Sequence, residues 1–126
     1  MRVLLALGLA SLAAPAAAQI GMVPETTKGI ALVETAVRAS LKDPDSAKFE
    51  WPNGFTNGWY RVAFGKKVTG WVTCGTVNAK NSYSGYGGRS AVIAAIRDGE
   101  VVGMSMDEPG EHLISGICAK VGVPVN

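Results

Sequence analysis

The stretch of this chain whose residue types best suit recognition of another molecule is NAKNSYSGYGGRS, residues 78–90. Asn78, Asn81 and the serines offer donors and acceptors, and Tyr83 and Tyr86 add rigid amphipathic rings that lose little entropy on binding. Three residues apart in a stretch of serines and glycines, the two tyrosines can stack on a sugar ring or pack against a protein. Lys80 and Arg89 place positive charge at the rim. The competing reading is a self-packed loop, its tyrosines covering a sheet edge and its asparagines bonding their own backbone. Gly85, Gly87 and Gly88 superficially suggest a phosphate-binding loop. Such a loop needs a lysine and a hydroxyl directly after its last glycine, at a helix start. Arg89-Ser90 leads into a strand instead, which argues against nucleotide binding.

The other reactive side chains are few. Cys74 and Cys118 are the only cysteines, and in an exported chain they most simply form one disulfide. A bridge of that span contributes on the order of 3–4 kcal/mol in the chain-entropy model. His112, the single histidine, cannot build a metal site alone, and no acid, histidine and cysteine spacing resembles zinc ligation. Were Cys118 unpaired, Cys74 with His112 would be the available thiol–base pair. Asp107, Glu108 and Glu111 cluster at a Pro-Gly turn. A glycosidase-like pair is one reading of them; acids favouring the dipole at a helix N-terminus explain them more simply. Ser90 and Ser115 lack nucleophile-elbow surroundings. Asp43 and Asp45 lack the regular oxygen spacing of a calcium loop.

These residues need elements to position them. Ile30, Val33, Val37 and Leu41 recur at three- and four-residue spacing with Glu34, Arg38 and Lys42 opposite, which predicts an amphipathic helix. Thr26 or Thr27 is placed to cap it, and Pro44 ends it. Residues 43–46 read as a turn, with one short further helical turn through Phe49. Residues 51–54 and Asn57-Gly58 are turn punctuation around Phe55. Strands are expected over 59–64, 68–78, 91–96 and 101–106, with Gly65-Lys66-Lys67 joining the first two and Asp98-Gly99 the last two. A closing helix over 111–121 carries Leu113, Ile114, Ile117 and Cys118 on one face, so Cys118 points toward the sheet. Gly122 and Pro124 stop it. Consecutive strands with helices at both ends give an α+β fold: a small antiparallel sheet of about four strands, an N-terminal and a C-terminal helix, and one disulfide. Trp51, Trp59 and Trp71 are expected to anchor the core, and any exposed one to join Tyr83 and Tyr86 in a binding face.

Residues 1–18, MRVLLALGLASLAAPAAA, read as a secretory signal peptide with Arg2, an apolar core and a small-residue cleavage site. The apolar run is shorter than the ~20 residues of a membrane span, and Pro15 interrupts it. Residues 19–126 then form a single domain without a second apolar span. The whole chain carries a net charge of +2, a balance that gives no footing for nucleic-acid binding.

The blocks LKDPDSAKF, residues 41–49, and CGTVNAKNSYSGYGG, residues 74–88, resemble a group of small exported bacterial proteins of unassigned function. Similar are a signal or lipoprotein leader, a helix ending in a Lys-Asp-Pro-Ser/Asp-Ser-like turn, and a Cys-Gly-x-Val-Asn-Ala-Lys-Asn-Ser-Tyr/Phe-Gly-Gly-Tyr run; Ser84 stands where that pattern more often has Gly. The resemblance implies a compact secreted domain and brings no reaction or ligand with it. The expectation is therefore a periplasmic or secreted accessory domain, not an enzyme. It would contact an envelope protein or glycan through Asn78, Lys80, Asn81, Tyr83, Tyr86 and Arg89, with no cofactor and no metal. Alternatives are a small secreted hydrolase using residues 107–112, or a purely structural subunit of an envelope complex.

Overall fold

A computed structural model of the chain describes residues 24–125. The expected signal peptide, residues 1–18, lies outside the described residues. The described chain forms α1 (Thr26–Arg38), a 3-10 turn (Pro44–Ser46), β1 (Lys48–Glu50), β2 (Thr56–Tyr60), β3 (Val68–Asn78), β4 (Ser90–Arg97), β5 (Glu100–Met106) and α2 (Leu113–Val121). All strand pairings are antiparallel. The sheet is β3–β4–β5, with β1 and β2 sharing the outer edge of β3: β1 pairs with its C-terminal end and β2 with its N-terminal end.

Period-two alternation decides which side chain meets which helix. On β4, Ala91, Ile93 and Ala95 face one way, together with Val72 and Cys74 of β3 and with Ile114 and Cys118 of α2. Val92, Ala94 and Ile96 face the other way, with Val77 of β3 and with Val33 and Val37 of α1. A helix therefore covers each face, and β4 is buried along nearly its whole length. The Cys74–Cys118 disulfide joins the middle of β3 to α2, with Cα atoms 6.0 Å apart. Asp98 and Gly99, with φ of 53° and 76°, make the two-residue turn between β4 and β5, as an Asp-Gly pair between apolar runs predicts.

Several boundaries differ from the sequence reading. There are five strands, because residues 48–50 extend along β3 instead of continuing a helical turn. The first long strand is Thr56–Tyr60, not 59–64, and Asn57-Gly58 lies inside it. α1 begins without a side-chain cap and ends at Arg38; Leu41 still reaches the core from the turn beyond. α2 begins at Leu113 rather than 111.

Tyr60 reports on the α2 face of the core. Its ring is buried, and an added Cβ on Gly103 would lie 2.7 Å from its hydroxyl, so the glycine makes room for the phenol. The hydroxyl has no hydrogen-bond partner among the described residues, and burial pushes its pKa up to about 12. The unfolded phenol ionises near pH 10. The folded state is thus undisturbed below pH 10 and loses stability as pH rises from there through about 12. Tyr60→Phe is expected to leave stability at pH 7 unchanged or raise it by up to about 1 kcal/mol. It should also flatten the alkaline loss, which denaturant unfolding at neutral and alkaline pH measures.

Candidate functional site

Residues 78–90 leave β3 and return into β4 as a miniature hairpin held by its own asparagines. The Gly88 amide donates to the Asn78 side-chain carbonyl at 3.2 Å, and the Gly87 amide to the Ala79 carbonyl at 3.3 Å. Lys80 and Tyr86 form an isolated antiparallel bridge. Nearer the tip, Asn81 accepts at its side-chain oxygen from the amides of Tyr83 (2.9 Å) and Gly85 (3.4 Å). Its own amide donates to the Gly85 carbonyl at 2.8 Å. Ser84 turns the chain with φ of 62°, a left-handed conformation that favours glycine. Asn78 and Asn81 therefore fix the loop's shape through their acceptors.

The loop is also tied to the turn before β1. The Lys80 amide donates to the Ser46 hydroxyl oxygen at 2.8 Å, and the Tyr86 hydroxyl to the Ser46 carbonyl at 3.2 Å. The Lys48 and Lys80 ammonium groups lie 4.6 and 5.8 Å from the centre of the Tyr86 ring. Arg89 pairs with Glu50 at 3.2 Å, an exposed contact of small energetic value. Tyr86 and Arg89 thus lie against the β1 side.

The Tyr83 side chain has no such partner among the described residues. It stands at the tip with 93% of its surface exposed. Beneath it runs a groove of about 370 Å³ between the loop, residues 40–42 and residues 106–109. Leu41, Val77, Met106 and Pro109 supply its apolar lining, Lys42, Lys80, Asn81 and Tyr83 its basic, polar and aromatic rim, and Asp107 and Glu108 of the acidic cluster also border it. Of the six residues the sequence singles out, Lys80, Asn81 and Tyr83 line this groove; Asn78, Tyr86 and Arg89 do not. The sequence reading missed Leu41 and Lys42, and Met106 and Pro109. Their spacing marks them as helix and strand ends, and only the fold brings them together.

The acidic cluster sits beside the start of α2. Buried Asp107 accepts from the amides of Ile114 (2.9 Å) and Ser115 (3.3 Å), taking the place of a cap that His112 does not provide. Glu111 accepts from the Glu108 amide at 3.1 Å, and the Ser115 hydroxyl donates to the His112 carbonyl at 3.0 Å. Asp107, Glu111, His112 and Ser115 share a shallow cleft of about 250 Å³ with Arg89. Tyr83 and Tyr86 do not line it. No group of three or more His, Cys, Asp or Glu suited to hold a metal occurs among the described residues. No family model, curated protein or solved structure matches this chain.

Proposed function

We propose that this is an exported, periplasmic or secreted accessory domain that holds a partner of the cell envelope at the groove under residues 78–90. The observation that carries this reading is Tyr83, an almost wholly exposed aromatic ring on a loop whose backbone is already fixed, at the lip of an apolar groove. A pre-ordered loop loses little entropy on docking, and exposed tyrosines are typical anchors of interfaces. The groove's apolar lining favours a protein side chain over a glycan, whose hydroxyls would need polar partners there. A hydrolase at residues 107–112 has less support, because Asp107 and Glu111 already serve backbone amides.

Affinity capture from the native envelope tests this, with wild type beside Tyr83→Ala and with folding of both verified by thermal unfolding. The expected result is a partner retained by wild type and weakened on the order of tenfold by the change, as for an interface anchor. Equal retention by both proteins would move the contact away from this loop. Sugar competition of the captured partner would turn the assignment from protein to glycan.

A further inference from the structure

The opposite end of the molecule carries a second surface. Residues 61–67, Arg-Val-Ala-Phe-Gly-Lys-Lys, connect β2 to β3 at the start of β3, whereas residues 78–90 follow its end. The strand between them spans roughly 30 Å. Residues 62–65 form a tight turn in which the Gly65 amide donates to the Val62 carbonyl at 2.8 Å. Ala63 sits there with φ of 49°, a conformation L-residues resist. The turn thrusts Phe64 outward with its ring wholly in solvent. Trp59, at the foot of the loop, is 54% exposed, and the Lys67 ammonium lies 4.7 Å from its ring centre. Beside it a cleft of about 570 Å³ is lined by Trp59, Arg61, Ile117, Lys120 and Val121.

We infer that residues 61–67, with Trp59 and Lys120, form a contact surface for a membrane bearing anionic phospholipid headgroups. Aromatic rings backed by basic side chains are the chemistry of the bilayer interface: rings settle among headgroups and acyl ends while cations meet lipid phosphates. The charges are complementary. Arg61, Lys66 and Lys67 stand in a loop without an acid, and none of them, nor Lys120, makes a salt bridge among the described residues. The β4–β5 turn at the same end adds Arg97, Asp98 and Glu100, so the basic side chains there still outnumber the acids. The protrusion suits a planar bilayer, which has no pocket to receive a shaped face and accepts a projecting ring instead. With this end on the bilayer, Tyr83 and its groove point away from it. That placement leaves the loop of residues 78–90 open to a partner standing off the membrane.

Vesicle flotation tests this in defined lipid, independently of any envelope partner. The protein as processed by its host, with the N-terminus fixed by intact mass, is mixed with phosphatidylcholine vesicles with or without phosphatidylglycerol. Wild type is expected to float with phosphatidylglycerol vesicles only, and less as salt rises. Phe64→Ala should lower the partition coefficient on the order of tenfold through the lost ring burial. Lys66→Gln with Lys67→Gln should lower it at least as much through the lost charge. Tyr83→Ala should float like wild type. Wild-type protein that ignores both vesicles, or floats equally with neutral lipid, would overturn the inference. So would flotation unchanged by Phe64→Ala. Self-association abolished by Phe64→Ala, with no flotation, would assign the surface to a second copy of the chain instead.

Discussion

Protein carrying Cys74→Ala with Cys118→Ala is expected to unfold about 4 kcal/mol more readily than wild type, the loop-closure value for a bridge between residues 44 apart. Domains of this size have total stabilities of about 5–15 kcal/mol, so the loss would take a large share of the whole. The reason lies in α2. It has nine residues, too few to persist as an isolated helix. It depends on Ile114 and Cys118 in the core, on the Asp107 carboxylate at its first turn, and on the bridge to β3. Both cysteines are wholly buried, so replacing them also removes packing from the centre of that face. Urea unfolding of the two proteins measures the difference, and thiol titration of unfolded wild type without reductant should find none. A loss below about 1 kcal/mol would mean that packing alone seats α2.

Gly75→Ala is expected to lower stability by about 2–3 kcal/mol, although alanine ordinarily suits a strand better than glycine. An added Cβ at Gly75 would collide with the Trp51 ring and the Glu50 carbonyl. Trp51 crosses β3 there because the edge is broken: β1 pairs with residues 76–78 and β2 with residues 68–72, and the chain between them passes over the gap. The ring stacks on Phe49, centroids 5.8 Å apart, and its indole N–H donates to Glu34 of α1 at 2.9 Å. Pushing it aside disturbs the broken edge and the attachment of α1 together. Urea unfolding supplies the number. Wild-type stability in the variant would show that Trp51 can leave its seat without consequence.

Elements with a strong period or a strong turn signal were legible from sequence. The Asp98-Gly99 turn, the spacing of Val33 and Val37, and the inward face of Cys118 each follow from local chemistry. The edge was not. Asn57-Gly58 reads as a turn because those residues usually break strands, yet here they lie in β2, where their ladder partners on β3 outweigh propensity. Phe64 reads as strand because of its aromatic ring, but the chain has already left the sheet at Tyr60. Trp59 is exposed without joining the tyrosines, since β3 separates the two ends. Half of the candidate loop was legible by type: asparagines in a loop rich in serine and glycine predict side-chain bonds to their own backbone, as Asn78 and Asn81 make. The same geometry gives structural work to much of the Cys-Gly-x-Val-Asn run. Cys74 bridges, Gly75 seats Trp51, Val77 is core and Asn78 closes the loop. Tyr83 is left projecting outward. The groove beneath it joins three segments distant in sequence, and no local pattern marks such a site.

The most direct test of the central claim is photo-crosslinking in the intact envelope, with a benzoylphenylalanine side chain in place of Tyr83. The same substitution at Leu32, an exposed apolar residue on α1, serves as control. A discrete crosslinked species is expected from position 83, absent from position 32. The same pattern of products from both positions, or none from position 83, would contradict it.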